Sequence, residues 1–277
     1  MHVEESRWNA APLAAPSAAA AAVREYAPRP TSYTGASDRR ADRPGARVRE
    51  GDRQRFLELV LGGDEGAPGA FLDALVAGGT DVAAVYLDLI SPTAVALGRM
   101  WEDDACDFVD VTVAVGRLQR AVRRLGEAFV FGRTAATAEA GGSSPDAART
   151  GRALLSCVPG DQHTLGLYMV AEFLLRDGWS VRVDTPSTGQ ELAALLRAEW
   201  FDVVGFSAAC DVRLLALRHE VAAVRRHSRN PHVRVLVGGR IFAEHPDLAD
   251  RVGADGFATS AADAPSRARA LVPPGPH

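Results

Sequence analysis

One short loop of this 277-residue chain holds an aspartate and a histidine two positions apart, Asp161 and His163. They follow an apolar run that ends at Val158 and precede a helical apolar pattern that starts at Leu165. Imidazole is the commonest side-chain metal ligand and a proton carrier near neutral pH. A ligating histidine usually gives its second ring N–H to a carboxylate, which fixes tautomer and orientation, and Asp161 is placed to accept it. The other reading of the pair is a solvent-facing histidine held by a hydrogen bond. Gly166 leaves space for a bulky group against the start of the helix. The remaining histidines stand elsewhere: His2 and His277 in the termini, His219, His227, His232 and His245 on predicted helices or their ends.

What could present such a loop is a strand-to-helix turn at the carboxyl edge of a parallel sheet, where open α/β sheets bind their ligands. From Arg152 onward, short β-type runs alternate with amphipathic helical patterns. Strands are expected at Ala153–Val158, Ser180–Val183, Val203–Phe206, Val233–Val237 and Gly256–Ala258. Helices are expected at Leu165–Arg176, Gly189–Glu199, Val212–Arg226, Ala243–Arg251 and near Ala261–Leu271. This alternation predicts a five-stranded parallel sheet with right-handed crossovers and helices on both faces. The flavodoxin-like order 2-1-3-4-5 puts the first strand beside the switch point. Strand three then ends in Gly205-Phe206-Ser207-Ala208-Ala209, strand four in Gly238-Gly239-Arg240, and strand five is flanked by small residues. Adjacent strand ends of this kind leave a trough where backbone can approach a ligand closely. A tight strand-to-helix turn would use Gly238-Gly239 equally well.

Upstream, residues 51–133 read as a helical bundle. Phe56, Leu57, Val60 and Leu61 recur at helical spacing before Gly62-Gly63, and Phe71, Leu72, Leu75 and Val76 before Gly78-Gly79. Thr80 is the expected cap of a longer helix that Pro92 should kink and that runs to Trp101. After the acidic EDDACD connection, a fourth helix spans about Phe108 to Leu125, so the four form a small bundle. Residues 1–50, rich in Ala, Pro, Arg and Ser, have too little apolar surface to offset ordering entropy and are expected to be disordered. The arginines Arg39, Arg40, Arg43, Arg47 and Arg49 in that tail are read as solvating, with a weak anionic-partner site as the other option. Residues 134–151 form the expected linker and 152–272 the α/β domain.

Composition narrows the function classes. A net charge of −4 gives no global reason to bind nucleic acid or an anionic membrane. No run approaches the roughly 20 apolar residues of a membrane span, and no secretory leader pattern is present, so a cytoplasmic location is expected. Cys106, Cys157 and Cys210 lie far apart, which disfavours a disulfide framework or a zinc site. A nucleotide-binding α/β protein would carry a Gly-rich phosphate loop after strand one, and PGDQHTLG is not one.

Asp161-x-His163-x-x-Gly166, then Ser207, then Gly238-Gly239, in this order on a five-strand α/β pattern, resembles the cobalamin-binding domain shared by methionine synthase, adenosylcobalamin mutases and corrinoid methyl carriers. The resemblance covers about 120 residues, Arg152 to Leu271. It implies that His163 displaces the cofactor's dimethylbenzimidazole and binds cobalt from below. Asp161, Thr164 and Gly166 then surround that ligand, and the nucleotide tail enters the trough near Ser207, Gly238 and Gly239. The family's Ser-x-Leu reads Ser207-Ala208-Ala209 here. The bundle extends the resemblance, because a four-helix module caps the upper cobalt face in several of these proteins.

Residues Leu97 to Leu125 look most like the light-sensing cobalamin regulators, especially the AerR/PpaA type of antirepressor in photosynthesis gene control. Trp101 stands where a tryptophan covers the upper ligand in related regulators, and an ordinary bundle-core aromatic is the other reading. Two departures matter. No helix-turn-helix precedes the bundle, so direct DNA binding is not expected. The Glu-His of DNA-binding relatives reads Val111-Thr112, so no upper-face histidine is visible. The resemblance thus implies a non-enzymatic regulator that holds adenosyl-, methyl- or hydroxocobalamin and acts on a transcription factor, a repressor protein, away from membranes. A corrinoid methyl carrier of a methyltransferase system is the alternative.

Overall fold

The structure is a computed structural model that describes residues 47–139, 150–159, 161, 163–186, 188–208 and 211–272. The stretch expected to be a disordered tail lies outside them up to residue 46, as does 140–149 of the expected linker.

The sheet comprises β1 (Arg152–Ser156), β2 (Ser180–Asp184), β3 (Val203–Ser207), β4 (Arg234–Gly238) and β5 (Gly256–Ala258). All pairs are parallel and the order is β2-β1-β3-β4-β5, as the alternation predicted. The register aligns Ala153 with Val203, Val203 with Arg234, and Leu236 with Gly256. Crossovers run through α5 (Leu165–Arg176), α6 (Gly189–Ala198), α7 (Leu214–His227) and the short α8 (Arg240–Glu244) and α9 (Leu248–Val252); α10 (Ala264–Leu271) follows β5. The single helix expected over Ala243–Arg251 is two pieces, because Pro246 cannot continue a helix and His245 before it leaves the α region at φ −132°, ψ 77°.

Side chains alternate across the strands and so feed two separate cores. Leu154, Val204, Val235 and Val237 pack with Leu192 and Leu196 of α6 and Leu217, Val221 and Val224 of α7. Ala153, Leu155, Val203 and Leu236 pack with Leu167, Ala171 and Leu174 of α5 and with Ala264 and Ala268 of α10. Each fully buried aliphatic side chain of this kind contributes about 1.5–3 kcal/mol relative to exposure.

The N-terminal helices are α1 (Glu50–Leu61), α2 (Ala67–Ala77), α3 (Val82–Glu102) and α4 (Phe108–Glu139). Their core includes Phe56, Val60, Leu72, Tyr86, Leu89, Ile90, Leu97, Met100, Leu118 and Val122. Asp81, not Thr80, caps α3, its carboxylate accepting the Ala83 N–H at 3.4 Å. The helix runs on through Pro92, where a kink is expected, and the turn before it, Val85–Ile90, is π-helical. Pro92 has no N–H to give the Asp88 carbonyl four residues back, and the Arg53 Nε–H of α1 donates to that carbonyl instead, at 2.7 Å. At 21 residues α3 is long and apolar enough to cross a membrane, contrary to the expectation that no run approaches that length. Its Tyr86, Leu89 and Ile90 are completely buried in the bundle, so its apolar character has a partner there. The fourth helix is also longer than expected, passing Leu125 and entering the stretch read as linker.

Helix α5 belongs to both halves of the molecule. Leu167, Ala171 and Leu174 face the sheet, while Met169 and Phe173, on the opposite side, enter the bundle core. Phe173 stacks edge-on against Phe129 of α4, with centroids 5.0 Å apart, and Phe129 meets Tyr86 of α3 at 5.2 Å. The Arg176 guanidinium lies over the Phe129 ring. The bundle is therefore seated on the helix that begins at the Asp161–His163 loop.

Candidate functional site

β1 is buried along nearly its whole length and is followed by Cys157 and Val158, both covered. The chain then turns back, with the Asp161 N–H donating to the Val158 carbonyl at 2.8 Å. The Cys157 thiol donates to the Asp161 carbonyl at 3.3 Å. Burial, and secondarily the Asp161 charge, push that thiol's pKa up, so Cys157 is a neutral packing group.

These bonds leave the Asp161 side chain only 4% exposed, and its Oδ1 serves His163 twice. It accepts the His163 backbone N–H at 3.0 Å and contacts Nδ1 of the ring at 2.6 Å. A carboxylate only accepts, so the proton of a neutral ring sits on Nδ1 and the Nε2 lone pair is left available. The His163 side chain is 71% exposed, and Nε2 has no protein partner among the described residues. An imidazole whose Nδ1–H is held by a carboxylate presents its Nε2 lone pair as a metal-ligating histidine does.

Thr164 caps α5 through its carbonyl, which accepts the Tyr168 N–H at 3.1 Å. Its hydroxyl makes no bond to its own helix; it accepts from Nε2 of Gln119 on α4, at 3.1 Å. Gly166 lies across from Ser207, since a Cβ there would come to 3.5 Å from the Ser207 hydroxyl oxygen.

Below this entrance a cleft runs between the sheet and helices α5 and α10. It holds about 330 Å³ of unfilled space, part of it open to solvent. Leu155, Leu167, Gly205, Ser207, Gly238 and Ala258 are among its walls, and among the described residues Ser207 is the sole polar side chain in the lining. The cleft brings together Ser207, Gly238 and Gly239, expected to border a trough, with Ala258 at the end of strand five, and adds Ala264 of α10. The two glycines differ. A Cβ on Gly238 would meet its nearest atom at an ordinary 3.5 Å, so that position keeps the cleft open. Gly239 has φ +105°, and a Cβ there would fall 2.1 Å from the Ala208 carbonyl oxygen. Its glycine is demanded by the close approach of the β3 and β4 loops, whatever the cleft contains.

Trp101 is not a bundle-core aromatic. It is 48% exposed at the end of α3 and meets Phe108 edge-on at 6.3 Å. Phe108, Val109 and Val113 at the start of α4 are also exposed, so the apolar end of the bundle is uncovered. Thr112 turns its hydroxyl onto the Phe108 carbonyl. Gln119, missed by the sequence reading, sits further along α4 beside the loop.

This donor set fits cobalamin. The open Nε2 of His163 suits a lower cobalt ligand, and a narrow apolar cleft with one hydroxyl suits a flat heterocycle with a single polar edge. The comparisons agree. Residues 151–266 match the family described as the B12 binding domain. An uncharacterized 20.5 kDa protein from the bchF-crtJ intergenic region of Rhodobacter capsulatus is 30% identical over 159 residues, spanning 57% of this chain and 77% of that one. The monomethylamine corrinoid protein of Methanosarcina barkeri shares the fold, with a TM-score of 0.65 at 15% identity, covering 81% of this chain and all of its own. The chain belongs to the family of the Rhodobacter bchF-crtJ region protein and carries a B12-binding domain.

Proposed function

We propose that this protein is a cobalamin-dependent regulator, of the AerR/PpaA antirepressor type, that acts on a repressor protein and carries out no catalysis. The observation that carries the cobalt chemistry is the Asp161-locked His163 with its Nε2 lone pair available, on the loop that leads into the helix lining the apolar cleft. Cobalamin bound there supplies a cobalt–carbon bond that light can break. Asp161 holds the imidazole in one tautomer and increases its basicity toward the metal. Thr164 and Gly166 shape the entrance, and Ser207, Gly238 and Gly239 border the tail cleft. Trp101, with Phe108 beside it, offers an apolar cover for whatever occupies the upper side. The regulatory part of the reading draws on the relative named for a bchF-crtJ intergenic region and on the bundle sequence. A bundle whose seating depends on the upper ligand is a two-state element, and its two surfaces would differ in affinity for a partner.

The test is an absorption spectrum of protein purified with cobalamin, for wild type and His163→Ala. We expect a retained corrin band whose position changes in the variant; a wild-type protein that retains no corrin would end the reading. Identical partner binding in dark and light, with adenosyl-, methyl- and hydroxocobalamin, would remove the sensing role.

A corrinoid methyl carrier would use the same His163 and the same bundle, and the fold shared with a monomethylamine corrinoid protein is the observation in its favour. Methyl transfer from methylcobalamin to an acceptor, with partner methyltransferases present, separates the two.

A further inference from the structure

A threonine at a helix N-cap ordinarily turns its hydroxyl to the N–H groups of its own first turn. Thr164 does not. It sits at φ −94°, ψ −11°, in the helical region, and its hydroxyl is bonded to Gln119 of the bundle. The residue next to His163 is thus tied to α4, while His163 itself is tied to Asp161. Gln119 and Thr164 are both half-buried, 45 positions apart, at the place where α4 crosses the start of α5.

We propose that Gln119 is a positioning residue for the cobalt ligand: its hydrogen bond to Thr164 transmits the seating of the bundle to His163. The proposal rests on the cobalamin reading above and adds the route by which the two faces of the cofactor communicate. Thr164 has two arrangements. In one its hydroxyl accepts from Gln119. In the other α4 has shifted, the hydroxyl has turned to cap α5, and Thr164 ψ has moved from −11° toward the extended range of an ordinary N-cap. Rotation at Thr164 displaces the preceding peptide, and with it the His163 ring, relative to the cleft. Upper-face events that move the bundle then change lower-face ligation, and the reverse holds by linkage.

The experiment uses the full chain loaded with hydroxocobalamin, following by absorption the acid transition in which protonated imidazole leaves cobalt. Gln119→Ala should keep the cofactor at wild-type stoichiometry but raise the share of histidine-off form about fivefold at a given pH, the scale of one net hydrogen bond. The transition midpoint then moves upward by about 0.7 pH unit, since a weaker cobalt bond yields to protons earlier. Thr164→Val should reproduce the shift, Thr164→Ser should restore wild-type behaviour, and the double variant Gln119→Ala/Thr164→Val should shift no further. Midpoints of Gln119→Ala and Thr164→Val equal to wild type would overturn the relay while leaving His163 as the ligand. A His163→Ala protein with the wild-type spectrum and no acid transition would overturn the ligand assignment and the relay with it.

Discussion

Gly239→Ala separates what the fold requires from what a ligand requires. Gly239 holds φ +105° and ψ 172°, a region open essentially to glycine alone. Forcing an alanine into it costs about 1–3 kcal/mol from the backbone alone. The added Cβ would also lie 2.1 Å from the Ala208 carbonyl oxygen and 2.9 Å from its carbon, and backbone atoms cannot swing aside as a side-chain tip can. The loop after β3 or the one after β4 must therefore move, at the expense of the Ala208 N–H bond to the Gly238 carbonyl. Together these give a loss of about 3 kcal/mol or more. For a folded region of this size each kcal/mol shifts Tm by about 2–4 °C, so the variant should melt about 6–12 °C lower. The assay is thermal unfolding of the cofactor-free protein, followed by circular dichroism. Gly238→Ala is its companion: with an ordinary 3.5 Å contact it should melt within a degree or two of wild type while taking up cobalamin less well, because its methyl enters the cleft. An unchanged Tm for cofactor-free Gly239→Ala, with only cobalamin uptake lost, would refute the reasoning and make Gly239 a ligand-facing residue.

Removing the His163 orienter by Asp161→Ala should weaken cobalamin binding about 10–100-fold in a spectroscopic titration, with the cofactor-free fold retained. Phe173→Ala empties the ring pocket between bundle and sheet and should cost about 3 kcal/mol in denaturant unfolding, bringing earlier proteolysis at the bundle joint. Glu172 packs against the α4 backbone at Gly126 and its carboxyl pKa is raised by burial, so the folded form holds its proton where the unfolded chain has lost it. That contribution is most favourable at acid pH and fades as pH rises above the ordinary carboxylate range. Glu172→Gln should therefore raise Tm at neutral pH by a degree or two, and the gain should vanish near pH 4.

The parts of this fold legible in the sequence were those governed by local periodicity. Strand–helix alternation gave five strands within one or two residues of their observed ends, and the order followed from handedness and connection rules. Asp161 and His163 were legible as a pair because their contact spans two residues. Long-range contacts were not. Nothing in the run LQRAV singles out Gln119, whose partner is Thr164 in another part of the chain. Trp101 was ambiguous because one heptad of helix pattern does not say which face a neighbour covers; only packed helices leave it exposed at 48%. The extra length of α4 escaped because the residues from Thr134 on were judged by small, polar composition, which describes a helix leaving its bundle as well as it describes a linker. The Gly239 requirement was hidden for the same reason as Gln119: it comes from a second loop, at Ala208.

The π-helical turn in α3 bears on how this family can change length. Six residues, Val85–Ile90, are wound one residue wider per turn than their surroundings, with Arg53 of α1 closing the carbonyl that Pro92 leaves open. Losing one residue from that turn would return it to ordinary α winding and leave everything after it facing as before. Losing one residue between Thr93 and Met100 would rotate Trp101 by about 100° around the helix axis, away from Phe108. Relatives with shorter bundles should therefore have their gap within the π turn, and the tryptophan should keep its direction across them.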